Sequence, residues 1–195
     1  MSNDRSSASD KGTLAVTALV AAAFVGCVWG ANWMITNVGT PHPSGARTIP
    51  VGLGWDAPSG VVFVGASLTL RDVLQRRTGP WLVVAAIVVG AALSAALSPG
   101  LAVASGVTFL VAELADLAVY TPLRERSLTG AVLASNAVGA LVDSALFLTL
   151  AFGTAAAADL VVPLTLGKFE WSLVAIPALL FTRKRAAGPR VVPAG

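Results

Sequence analysis

Six apolar stretches follow one another along the chain, at about 13–35, 60–74, 81–98, 101–120, 128–152 and 160–181, each separated by a short run of polar, Gly or Pro residues. A helix needs about 20 apolar residues to cross a hydrocarbon core of about 30 Å, and most of these stretches approach that length. Alternating apolar and polar positions are not seen, which argues against a barrel. The pattern therefore predicts an all-α integral membrane protein of six transmembrane helices. The second stretch is short and has Pro58 and Gly60 at its start, so it begins either further back in the preceding Pro/Gly-rich segment or as a broken helix.

Polar positions inside the fourth and fifth stretches carry most of the remaining information. In "FLVAELADLAVY", Glu113, Asp116 and Tyr120 are spaced i, i+3, i+7 and share one helix face; Asn136, Gly139 and Asp143 repeat that spacing in the next stretch. The compact link "TPLRERS" makes the two helices antiparallel neighbours, so the two polar stripes can face each other. A carboxylate at the bilayer centre costs about 2.5 to 3.5 kcal/mol on insertion scales, so these acids require an interior partner or a ligand. Two readings remain: polar glue between helices, or a substrate pocket or ion path. In the last stretch Lys168 and Glu170, two residues apart, lie on different faces. Lys168 either neutralises Glu113, Asp116 or Asp143, or snorkels to the interface.

The other segments read more plainly. Residues 1–12 are polar and aperiodic and form a disordered cytoplasmic lead; 13–182 is the six-helix transmembrane domain, and 183–195 is a basic cytoplasmic tail suited to anionic headgroups. Ala18, Ala22, Gly26 and Gly30 make a small-residue ridge on the first helix, for internal packing or for docking. Trp29 and Trp33 suit the membrane interface, and Asn32 between them either caps the helix or touches ligand. Residues 36–59 have little helix or strand pattern and read as an external loop or lid. In the second helix Asp72 has Arg76 at i+4 as a possible ion-pair partner.

Composition agrees with burial in lipid. The 195 residues are 55% hydrophobic and 12% charged, with a mean hydropathy of +0.78. With six spans, all but two of the 13 Lys and Arg residues fall on one side, leaving Arg47 on the other and Lys168 within a span. The positive-inside rule then places both termini in the cytoplasm. That asymmetry accounts for the net charge of +3 without invoking nucleic acid.

Several chemistries find no support. The single cysteine, Cys27, cannot form an internal disulfide; "AAAFVGC" loosely resembles a lipoprotein cleavage site, but the apolar run continues past it, as in an uncleaved helix. One histidine, His42, in a Pro-flanked loop cannot assemble a metal site with Cys27. There is no GxxxxGK[ST] motif for nucleotide hydrolysis. Asp116 and Asp143 on neighbouring helices are the residues an intramembrane aspartyl enzyme would use, yet neither sits in a GxGD motif.

The ordered blocks "AN" at 31–32, "APSGVVFVGASLTLRDVLQRRTG", "ASGVTFLVAELADLAVYTPLRER" and "SNAVGALVDSALF" resemble the vitamin uptake transporter family of bacterial queuosine-precursor transporters, over about 31–152. The resemblance implies a six-helix inner-membrane carrier, not an enzyme, for 7-deazaguanines such as 7-cyano-7-deazaguanine. It also implies that Asn32, Asp72, Glu113, Asp116, Asn136 and Asp143 lie at or near the substrate path. Lys168 joins them here as a candidate counter-ion. No cofactor or metal is expected. The expected partners are the 7-deazaguanine, the bilayer and, in an alternative reading, a separate energising ATPase module; no nucleic acid is expected. Phe109, Tyr120, Phe147 and Trp171 are the aromatic walls available to a planar heterocycle.

Overall fold

The computed structural model describes the backbone of residues 2–123 and 125–186, with side chains over 12–123 and 125–174 except at 72, 117, 128, 129 and 132. It is mostly helical: α1 (Ser2–Asn37), α2 (Val61–Thr78), α3 (Pro80–Ala95), α4 (Pro99–Leu123), α5 (Leu128–Phe152) and α6 (Thr154–Ala186). Among the described residues, three segments are long and apolar enough to cross a membrane, Gly12–Asn37, Pro99–Leu123 and Leu133–Phe152, and Pro80–Ala95 is a shorter apolar helix. α2 is more polar because Arg71, Asp72, Arg76 and Arg77 crowd its second half. The helices close into a ring, each packing on the next in the order α1, α3, α4, α5, α6, α2 and back to α1.

α1 starts at Ser2, so helix continues through the polar segment that the sequence alone leaves as a disordered lead. Once the apolar part has nucleated, each added residue gains a hydrogen bond without a further nucleation cost. α6 likewise runs past 182 to Ala186, and the rest of the basic tail lies outside the described residues.

The segment expected to be an irregular loop is instead a three-stranded antiparallel sheet of β1 (Thr40–Pro41), β2 (Arg47–Val51) and β3 (Trp55–Pro58), in that order. Its register pairs Thr40 with Thr48, and Thr48 in turn with Pro58, Ile49 with Ala57 and Val51 with Trp55. The β-branched run in "RTIPV" provides the strand, although its proline and the surrounding glycines mask the pattern. Ala57, Ile49 and Val51 then pack onto Val61, Leu148, Leu160 and Leu164, which ties the sheet to α2, α5 and α6. Arg47 donates from Nε to Thr36 O (3.1 Å) and from Nη1 to Gly39 O (3.0 Å), satisfying carbonyls at and just beyond the C-terminus of α1.

The β2–β3 turn is pinned from below. The Gly52 N–H donates to Glu170 Oε2 on α6 at 3.0 Å, and the tip residue Leu53 stands at φ 62° and 83% exposed. Glu170→Ala is expected to cost about 1.5 kcal/mol locally, the scale of a hydrogen bond to a charged group. Chymotrypsin should then cut at Leu53 several times faster while the global unfolding midpoint stays nearly constant, since the helix ring does not depend on this contact.

Two helix contacts set the ring's width. At Gly65 an added Cβ would stand 2.4 Å from Trp171 Cβ, and at Gly90 one would stand 2.9 Å from Val28 Cβ, so α2 meets α6, and α3 meets α1, nearly backbone to backbone. The small-residue ridge of α1 is only partly used for such packing. Gly30 is buried against the Phe63 ring, whereas Ala18, Ala22 and Gly26 face outward.

Candidate functional site

The ring encloses two cavities that share Val64, Ser67, Phe109, Asp143 and Lys168 in their walls. The larger has a volume of about 410 Å³ and lies between α2, α4, α5 and α6. The smaller, about 100 Å³, lies toward the sheet, with Asn32, Ile35, Pro58, Ser105 and Thr108 among its lining residues.

In the large cavity, Glu113 and Asp116 come from α4, Asn136, Gly139 and Asp143 from α5, Lys168 from α6 and Arg71 and Arg76 from α2. The two polar stripes do face each other. Gly139 makes this possible, since a Cβ there would lie 3.3 Å from Asp116 Cβ. Tyr120, although on the same stripe as Glu113 and Asp116, is not among the residues lining either cavity.

The acids divide by partner. Glu113 forms an ion pair with Arg71, and Asp143 forms one with Lys168. Lys168 is 2% exposed and also donates to Ser144 Oγ at 2.8 Å, so of the two readings open to this residue the structure shows pairing within the protein. Asp116 and Asn136 have no hydrogen-bond or ion-pair partner among the described residues, although both line the cavity. Formal charge is balanced: Arg71, Arg76 and Lys168 stand against Glu113, Asp116 and Asp143.

Asn32 belongs to the small cavity. It is 2% exposed, its Oδ1 accepts from Ser105 Oγ at 3.1 Å, and its Nδ2 has no partner among the described residues. Thr108 Oγ1, in the same wall, is also buried without a partner. A buried polar group left in that state costs about 1 to 3 kcal/mol, so both atoms are suited to an external partner.

Of the seven residues singled out from sequence, six line these cavities: Asn32, Glu113, Asp116, Asn136, Asp143 and Lys168. The side chain of Asp72 lies outside the described residues. Sequence reading missed Arg71, which topology had assigned to the basic cytoplasmic side, and Ser67, one helical turn before it. Their i, i+4 spacing with Val64 and Leu68 is a stripe of the same kind as those on α4 and α5, but it is hidden among other basic residues. Phe109 and Phe147 are cavity walls as expected, whereas Trp171 packs with the sheet-side core and against Gly65. Phe24 and Phe169 are further aromatic walls.

Glu170, two residues from Lys168, points away from the cavity to hold Gly52, in keeping with the different faces expected of the two side chains. No group of three or more His, Cys, Asp or Glu residues with metal-site geometry occurs among the described residues.

A family model described as "Putative vitamin uptake transporter" matches residues 81–182, from α3 almost to the end of α6. The match takes in Glu113, Asp116, Asn136, Asp143 and Lys168 and covers more than half of the 195 residues. No curated protein and no solved structure matches the chain.

Proposed function

Since the chain belongs to the vitamin uptake transporter family, and is thus a multi-pass membrane protein, we propose that it takes up 7-deazaguanine precursors of queuosine through the large cavity. The observation that carries this reading is the juxtaposition of Asp116 and Asn136, two unengaged polar groups across the α4–α5 contact in a cavity of about 410 Å³. That volume is within the roughly 300 to 1,000 Å³ usual for small-molecule sites. A guanine-like edge presents adjacent N–H donors, which the Asp116 carboxylate accepts as a pair, while the Asn136 amide serves the neighbouring acceptor and donor. Phe109 and Phe24 supply apolar faces for the ring.

Charge selects within this class. Each of the other two acids already has a basic partner, so the cavity has no surplus negative charge to hold an aminomethyl cation. The neutral 7-cyano-7-deazaguanine is the better cargo. In this reading all six helices span the inner membrane with both termini in the cytoplasm. The exposed Arg76, Arg77 and Arg126, at the ends of α2 and between α4 and α5, are then cytoplasmic, and Arg47 on the sheet is periplasmic.

The test is queuosine in the tRNA of a bacterium that lacks both precursor synthesis and its own uptake protein, expressing this chain and supplied with 7-cyano-7-deazaguanine. Modified tRNA is expected with the unaltered chain. With Asp116→Asn, at equal membrane abundance, the rate should fall about ten- to a hundredfold, the equivalent of a lost charge-assisted pair worth about 1.5 to 3 kcal/mol. Unmodified tRNA with the unaltered chain would refute the cargo.

A further inference from the structure

Exposure of the polar side chains differs between the two cavities. Arg76 and Asn136 are exposed, the Glu113 side chain is 32% exposed and that of Asp143 27%, whereas Lys168 and Asn32 are at 2% and Thr108 at 1%. The Asp143–Lys168 ion pair is common to the two. Both residues line both cavities, and of the two side chains Asp143 is the more exposed while Lys168 is buried. Phe109, Val64 and Ser67 complete the same collar.

Beyond the collar the small cavity is closed on the sheet side by buried Ile35, Pro58 and Val61, with Ser59 Oγ bonded to Met34 O at 2.9 Å. Yet its wall holds two buried polar groups without partners among the described residues, Asn32 Nδ2 and Thr108 Oγ1. A pocket made only for packing has no use for them.

We propose that the two cavities are successive stations of one path, that the Asp143–Lys168 ion pair is the gate between them, and that Asn32 Nδ2 awaits an uncharged hydrogen-bond acceptor on the cargo at the second station. An ion pair suits a gate because it is bistable. Closed, each charge satisfies the other across two helices; opened, each needs a substitute that cargo or water must bring, so opening is coupled to occupancy. Asp143 on α5 and Lys168 on α6 also link the two helices whose separation would widen the collar.

Cys27 reports on this directly. It is the only cysteine in the chain and it lines the small cavity. The experiment uses the full-length protein in sealed vesicles of known orientation and measures the rate at which a membrane-impermeant cation, methanethiosulfonate ethyltrimethylammonium, modifies Cys27 from each face; Cys27→Ser gives the background. From the Arg76 face, the unaltered protein should react slowly and Asp143→Asn about tenfold faster, a shift of about 1.4 kcal/mol in the gate equilibrium. The exchanged pair Asp143→Lys with Lys168→Asp should return to the slow rate. From the sheet face all three should react slowly.

Where Asp143→Asn proves too unstable to purify, Ser144→Ala removes only the second partner of Lys168 and is expected to give a rise of about threefold. Equal rates from the Arg76 face with and without the ion pair, or an Asp143→Asn protein that reacts equally fast from both faces, would overturn the gate. The measurement involves no deazaguanine, so a failed uptake assay beside successful gating would refute the cargo alone.

Discussion

Asp143→Ala is expected to destabilise the helix ring by about 3 kcal/mol, and Lys168→Met by about 1 kcal/mol, although each removes the same ion pair. The asymmetry follows from burial. Without Asp143, the Lys168 ammonium is left 2% exposed with only Ser144 Oγ as a partner, and a buried charge that loses its counter-ion bears nearly the full desolvation cost. Without Lys168, the Asp143 carboxylate is 27% exposed and opens onto the large cavity, where water can solvate it. The double variant Asp143→Ala with Lys168→Met should lie within about 1 kcal/mol of the unaltered protein, because no unpaired charge remains. Denaturant unfolding of the four proteins in one detergent closes the cycle. Equal costs for the two single variants would mean that the pair is solvated alike at both ends, contrary to the burial described above.

Gly65→Ala is expected to be almost as damaging, at about 2 to 3 kcal/mol, despite adding one methyl group. The new Cβ would lie 2.4 Å from Trp171 Cβ and 2.9 Å from the backbone nitrogen of Ser172. Neither can give way as a flexible side chain would, so α2 and α6 must separate, and the 3.1 Å bond from Ser172 Oγ to Gly65 O is lost with the contact. Gly26→Ala is the internal control. Nothing lies within 4 Å of its would-be Cβ, so alanine should be neutral or stabilise α1 by up to about 1 kcal/mol through helix propensity. Thermal unfolding midpoints of the two variants should therefore move in opposite directions, or one should not move at all. A loss at Gly26 comparable to that at Gly65 would show that the outward ridge of α1 is a packing surface after all.

Both expectations depend on helix spacing, and the same spacing explains how much of the molecule could be read beforehand. The apolar stretches at 81–98, 101–120 and 128–152 reappear closely as α3, α4 and α5, because a helix in lipid must satisfy its backbone internally and the length of an apolar run is then set by the bilayer. The facing stripes of α4 and α5 were also legible. Side chains at i, i+3 and i+7 share a face whatever surrounds them, and a short link leaves antiparallel neighbours little choice of partner. The divergence of Lys168 and Glu170 was available from the same geometry.

What the chain by itself determined, then, is local: which segments are helical, which face of each is polar, and which ionisable groups lie too deep in apolar sequence to be left without partners. Tertiary structure decided the pairings. Whether Lys168 meets Glu113, Asp116 or Asp143 depends on the rotation and depth of α6 in the ring, and periodicity within one helix is silent about its azimuth relative to another. Arg71 looked like a topological charge until the crossing of α2 placed it against Glu113. Segment 36–59 lacked a visible strand pattern because its apolar residues find a buried surface only where the ends of α2, α5 and α6 come together beneath it. The two cavities belong to this second class as well: they are the space left when six helices close at the glycine contacts, and no single segment encodes that space.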